Sequence, residues 1–191
     1  MIWTAPPSLP GRSVVALVTG GSASGKSAWA EELICTLCPG PKLYLATMPP
    51  SGPGAEARIA RHRSMRASKG FSTLECPGPL PISHIPPGSA VLLEDLSNLL
   101  ANLRFSPAPP TDYVQVLWEQ LSALACRCGH LVVVSNEIFS DGVIYDPDTT
   151  DYIALLGSLN RLLAQRADLA AEVVCGIPLV LKGALPCPLP L

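Results

Sequence analysis

Gly20-Gly21-Ser22-Ala23-Ser24-Gly25-Lys26-Ser27 sets glycine, four residues, glycine, lysine and serine in one uninterrupted run. That spacing suits a loop that binds phosphate. Gly20 and Gly25 free the backbone to turn its N–H groups inward and approach an anion closely. A helix starting behind the loop adds its dipole and free amides. Lys26 supplies a point charge for the terminal phosphates, and the Ser27 hydroxyl is a ligand for Mg²⁺. The chemistry implied is the handling of a nucleoside triphosphate, with no reaction yet specified.

Two further groups bear on the reaction. At helical spacing, Arg58, His62 and Arg66 share a stripe flanked by Arg61 and Arg63. Neighbouring cations lower the pKa of an imidazole, so His62 is expected neutral, hence nucleophilic, at pH 7. The arginines suit the phosphates of a nucleotide. Spacing alone favours the plainer reading, a solvated basic face. Farther on, Glu94 and Asp95 end the apolar run Ser89 to Leu93. An acid at that place is the Walker B arrangement, which orders Mg²⁺ or its water, and either residue suits it. The plainer reading is charge at the start of the helix Leu96 to Leu103.

The elements that must position these groups follow from apolar patterning. Ser13 to Thr19 reads as a buried strand, and Ser27 to about Cys38 as a helix with Trp29, Ala30, Leu33, Ile34 and Leu37 on one side. Lys42 to Thr47, Gly70 to Cys76, Ser89 to Asp95 and His130 to Ser135 read as strands. Thr111 or Asp112 caps a helix running to about Cys128, with Val114, Leu117, Leu121, Leu124 and Ala125 inward. Phe139 to Asp151 reads as a polar loop, and Asp151 to Arg166 as a helix with Leu155, Leu156, Leu159, Leu162 and Leu163 coreward. Ala171 to Ile177 is a strand, which Leu179 to Lys182 continues or hairpins from. Strands alternating with helices predict an α/β fold with a three-layer, mainly parallel sheet. Asn136 and Glu137 leave a central strand at the edge where ligands collect in such sheets. His84 and His130 read as structural.

The chain has 191 residues, enough for one domain with a sizeable core. Residues 1–12 read as a loose extension, 13–183 as a single nucleotide-binding domain, and 184–191 as a Pro-rich tail. A formal net charge of -2 argues against a general nucleic-acid binder. No apolar run is long enough to span a bilayer, and the N-terminus lacks the order of a secretory signal, so a cytoplasmic enzyme is expected. The seven cysteines are odd in number, which argues against a disulfide framework. Cys35 with Cys38, and Cys126 with Cys128, lie near helix ends without the turn glycines of a zinc knuckle, and read as reduced thiols.

From about Val14 to Lys182 the chain resembles the family of bifunctional adenosylcobinamide kinase/adenosylcobinamide-phosphate guanylyltransferases. The motifs stand in the family's order: Gly20 to Ser27, Tyr44 to Thr47, Arg58 to Arg63 with Arg66, Thr73-Leu74-Glu75, Leu92-Leu93-Glu94 with Asn102, Ser135-Asn136-Glu137, Leu159-Asn160, and Gly176-Ile177-Pro178. The resemblance implies a P-loop NTPase fold of RecA-like type, a homotrimer, and GTP and ATP as substrates beside Mg²⁺. It implies nucleotide contacts from Gly20, Gly21, Ser22, Ala23, Ser24, Gly25, Lys26, Ser27, Arg58, Arg63, Glu75 and Glu94, with metal contacts from Ser27 and Glu94. His62 stands at the guanylylated histidine, and Lys26 and Glu94 complete the catalytic set. The implied chemistry phosphorylates adenosylcobinamide, loads GMP from GTP on His62, and passes it to the new phosphate. Two positions depart from the pattern. Ala23 stands where the family usually has Arg, and Phe139-Ser140-Asp141-Gly142 where it has Gly-x-Gly. Two competing readings are a P-loop kinase of another small alcohol and a nucleotide-binding protein without turnover.

Overall fold

The computed structural model describes residues 13–49, 66 and 69–186. Arg58, His62 and Arg63 lie outside the described residues, as do residues 1–12 and 187–191.

The β-branched run after Ser13 forms β1 (Val14–Thr19), and the phosphate-loop sequence leads from it into α1 (Lys26–Leu37). β2 (Lys42–Ala46), β3 (Phe71–Glu75) and β4 (Ala90–Glu94) follow, then α2 (Leu96–Arg104) and α3 (Tyr113–Arg127). β5 (His130–Val134), α4 (Pro147–Arg166), β6 (Leu169–Val174) and β7 (Ile177–Lys182) complete the order. The seven strands make one sheet in the order β3-β2-β4-β5-β1-β6-β7. All pairings are parallel except β6 with β7.

Central strands buried on both faces need apolar side chains in both directions, which is why β1, β4 and β5 read as continuous apolar runs. One face packs Ala16, Val18, Leu92, Val132 and Val134 against Trp29, Ala30, Leu33 and Ile34 of α1. The other packs Leu17, Val91, Leu93, Leu131 and Val133 against Leu96 and Leu100 of α2, Leu117, Leu121 and Leu124 of α3, and Leu156, Leu159 and Leu163 of α4. The result is the expected three-layer, mainly parallel α/β arrangement. β1 lies between β5 and β6, with Val18 level with Val134 and Ala171. The phosphate loop therefore leaves the middle of the sheet at its carboxyl edge.

Some boundaries differ from the sequence reading. Asp112 is the cap of α3, its carboxylate accepting from the Gln115 N–H at 2.9 Å. α4 begins four residues before the expected Asp151. Asp146 caps it through the N–H groups of Asp148 and Thr149, and Pro147 fits the first turn because its missing N–H would have no partner there. β6 begins at Leu169 and stops at Val174, where Cys175 (φ 52°) and Gly176 (φ 80°) turn the chain back. Of the two routes open for Leu179 to Lys182, the chain takes the hairpin. Cys35, Cys38, Cys76, Cys126, Cys128 and Cys175 are free thiols, and burial pushes Cys76 and Cys128 up to about 12. Among the described residues, no helix is long and apolar enough to cross a membrane.

Candidate active site at the sheet edge

The phosphate loop is held by backbone contacts from two flanking segments. The Gly20 carbonyl accepts from the Glu137 N–H at 3.0 Å, just beyond β5. The Ser24 carbonyl accepts from the Gly176 N–H at 2.8 Å, in the β6–β7 turn. Gly20 (φ 154°) cannot carry a side chain: a Cβ there would lie 2.6 Å from both the Val173 carbonyl oxygen and Ser24 Oγ. The loop thus approaches β6 as closely as a backbone can.

Lys26 and Ser27 open α1, and Glu94 ends β4 opposite them. The Ser27 hydroxyl donates to Glu94 Oε1. Lys26 Nζ donates to the Gly21 carbonyl at 3.0 Å. Burial lowers the Lys26 pKa, and the charges of Asp95 and Glu94 oppose that shift. Ser22, Lys26, Ser27, Glu75 and Glu94 border one cavity of about 460 Å³. That volume is within the range of small-molecule sites. The structure thus brings these five predicted residues together. Gly20, Gly21, Ser24 and Gly25 serve as loop backbone, and exposed Ala23 (φ 58°) lies beside them without a charge to offer.

The same cavity is bordered by Asp95, the alternative Walker B acid, by Arg66, one of the arginines expected to suit nucleotide phosphates, and by Asn136 at the expected edge. Tyr44, Met48, Ser97, Asn98 and Ile138 border it without a role assigned from sequence. Arg66 is 4% exposed, and its guanidinium carbon lies 3.3 Å from the centre of the Tyr44 ring. Among the described residues its Nε and Nη1 atoms have no hydrogen-bond partner, and both are buried. A stacked, incompletely paired guanidinium is suited to an anion. Burial drives the Tyr44 phenol well above its ordinary range, and the Glu94 charge adds to that shift. Tyr44 is therefore a neutral hydroxyl at pH 7. The signal for this pair was a Tyr at the middle of an apolar strand and an Arg one helical turn after His62.

Thr47 ties the strand ends together. Its hydroxyl donates to the Asp95 carbonyl at 2.8 Å and accepts from the Asp95 N–H at 2.6 Å. Its N–H donates to the Glu94 carbonyl at 3.0 Å, and its carbonyl accepts from Asn102 Nδ2 at 2.7 Å. Asp95 also caps α2, with Oδ1 accepting from the Ser97 hydroxyl at 2.8 Å and the Asn98 N–H at 2.7 Å. Glu94 faces Ser27 and Asp95 does not, which favours Glu94 of the two acids as the metal-side carboxylate. The Ser27 and Glu94 oxygens are hard donors of the kind Mg²⁺ accepts.

A larger cavity, about 740 Å³, lies between α4, β1, β6 and β7. Leu17, Ala164, Ala170 and Leu181 make it mostly apolar, and Asn136 borders both cavities. The smaller one is bordered by Lys26, Ser27 and Glu94.

The family model described as cobinamide kinase / cobinamide phosphate guanyltransferase matches residues 16–181. The "Bifunctional adenosylcobalamin biosynthesis protein CobU" of Salmonella typhimurium is 32% identical over 184 residues, covering 87% of this chain and 98% of that protein. The "Bifunctional adenosylcobalamin biosynthesis protein CobP" of Pseudomonas aeruginosa is 31% identical over 172 residues, covering 87% and 96%. Among solved structures, the flagellar accessory protein FlaH of Methanocaldococcus jannaschii aligns with a TM-score of 0.46 at 11% identity, over 92% of this chain and 83% of that one.

Proposed function

The chain belongs to the cobinamide kinase / cobinamide phosphate guanyltransferase family, and from that premise we propose that it phosphorylates adenosylcobinamide and then transfers GMP from GTP to the product through a guanylyl-histidine at His62. One observation carries the reading: Lys26, Ser27, Glu94 and Arg66 border a single cavity, and Arg66 follows His62 by four residues.

In the first half, the loop amides and Lys26 hold the triphosphate while the aminopropanol hydroxyl of the corrinoid attacks the terminal phosphorus, losing its proton as the bond to the bridging oxygen breaks and the nucleoside diphosphate leaves. ATP or GTP serves as donor. In the second, the neutral His62 imidazole attacks the α-phosphorus of GTP and pyrophosphate leaves. The phosphate made in the first half then displaces the imidazole and takes the GMP. Arg58, Arg63, Arg66 and Glu75 contribute to the nucleotide's surroundings. Ser27 and Glu94 would hold Mg²⁺, which supplies charge neutralisation at the phosphates. Residues 13–183 act as one nucleotide-binding domain, flanked by the extension 1–12 and the tail 184–191. The homotrimer rests on the family resemblance, and the cytoplasmic setting on the sequence reading of its apolar runs and N-terminus.

The test is incubation of the protein and Mg²⁺ with GTP labelled at the α-phosphate. Acid-labile label retained on the protein, lost in His62→Ala and discharged by cobinamide phosphate, is the expected result. Turnover of cobinamide without any protein-bound label would refute the histidine route and leave a simple P-loop kinase.

A further inference from the structure

We propose that Asp95 is the residue that grips the acceptor: its Oδ2 atom accepts the hydrogen bond of the substrate hydroxyl and aims that oxygen at the terminal phosphate. The inference rests on the two-step reading above and adds a substrate contact on this chain's own carboxylates.

Asp95 follows Glu94, yet the two acids face different neighbours. Glu94 Oε1 takes the Ser27 hydroxyl, at the helix that carries the phosphate loop. Asp95 Oδ1 is committed to the Ser97 hydroxyl and the Asn98 N–H, at 2.8 and 2.7 Å. Among the described residues, Asp95 Oδ2 has a single, long contact, 3.5 Å from Asn136 Nδ2. That Asn136 amide also donates to the Ser97 hydroxyl, so its contact with Oδ2 is secondary. A carboxylate oxygen accepts more than one hydrogen bond, and this one has capacity left.

The residue's frame is rigid and its place is right. Thr47 brackets the Asp95 N–H and carbonyl at 2.6 and 2.8 Å. The half-buried carboxylate borders the phosphate cavity beside Lys26, and its charge acts on that ammonium more strongly than Glu94 does. Lys26 binds the Gly21 carbonyl in the free protein. A triphosphate that draws Lys26 to its terminal oxygens would enter the cavity that Asp95 also borders, which would set the carboxylate within reach of an acceptor beside the terminal phosphoryl group. Kinases use a carboxylate in this place to orient the attacking hydroxyl. Only the first half of the proposed reaction has a hydroxyl nucleophile. Imidazole and phosphate, the nucleophiles that follow, bring no such hydroxyl to orient.

The test uses Asp95→Asn and Asp95→Ser. Asn and Ser both cap helices as Asp does, so α2 is preserved. Asn turns the cavity-facing acceptor into a donor, and Ser deletes it. Wild type and variants are compared in two assays, phosphorylation of adenosylcobinamide and GMP labelling of the protein from GTP, with melting curves as the folding control. Losing a charge-assisted hydrogen bond lowers kcat/KM for cobinamide about 10- to 100-fold. GMP labelling is expected to fall at least severalfold less than phosphorylation, since its nucleophile brings no hydroxyl for Asp95 to orient. Kinase rates that stay close to wild type in both variants would overturn the proposal, as would equal losses in the two assays. A wild-type protein that performs neither half would overturn the two-step reading itself, and this contact with it.

Discussion

Gly20 and Gly21 allow a controlled comparison, because each would gain only one methyl group. At Gly20 the φ of 154° is a conformation that side chains avoid, and the added Cβ would sit 2.6 Å from a backbone oxygen of β6. At Gly21 nothing lies within 4 Å of the added atom. Gly20→Ala therefore combines about 1–3 kcal/mol of backbone strain with about 1–3 kcal/mol of overpacking, or about 2–6 kcal/mol together. For a chain of 191 residues that is a fall in Tm of roughly 5–20 °C. Gly21→Ala should stay within about 0.5 kcal/mol, a shift of no more than about 2 °C. Calorimetry measures both, and titration with a non-hydrolysable GTP analogue measures the loop's grip. Nucleotide affinity should fall sharply in Gly20→Ala alone, because relief of the collision must move the loop away from β6. If the two variants melt together, or if Gly21→Ala is the weaker binder, the close approach to Val173 does not shape the loop as argued.

Other expectations follow from the same geometry. Glu94→Gln keeps the shape of the side chain and removes its charge, so the Mg²⁺ concentration needed for half-maximal turnover should rise about tenfold or more while melting changes little. An unchanged Mg²⁺ requirement would move the metal role elsewhere. His130 is half-buried at the start of β5, its Nδ1 is buried without a partner, and burial lowers its pKa. Above the unfolded value, near 6.5, the imidazole is neutral in both states and costs nothing. As pH falls below about 6.5 the unfolded chain takes up the proton first, so stability should decline. His130→Gln should flatten that decline in melting curves recorded from pH 7 to pH 5, and identical slopes would exclude the histidine as its source.

The fold was legible wherever the chain alternates apolar strands with one-sided helices. β1, β4 and β5 are buried on both faces, and such runs allow little else. Boundaries set by single side chains were harder to place. The Asp146-Pro147 start of α4 reads locally as a turn, since Asp and Pro serve both purposes. The β6–β7 hairpin depends on Cys175 adopting a positive φ, which a cysteine does not advertise. Within the candidate site, Lys26, Ser27 and Glu94 stood out because the motifs that single them out are local in sequence, and the fold sets all three around one cavity. Thr47 was not, since its purpose is to bracket Asp95 across 48 positions. Arg66 and Tyr44 meet only through the fold, so neither one's spacing predicts the stack. The assignment of His62 as nucleophile rests on motif likeness, and His62 lies outside the described residues.

The order in which the phosphate cradle can be finished is set by where its supports lie along the chain. The loop's own residues leave the ribosome early, but Glu137 and Gly176, which fasten it, are made far later. β1 likewise has no strand partner before β5. A nascent chain would therefore display the phosphate-binding sequence until those later segments emerge, without the means to hold a triphosphate. Nucleotide capture would mark the end of translation of this segment, and so report on whether the final hairpin has closed.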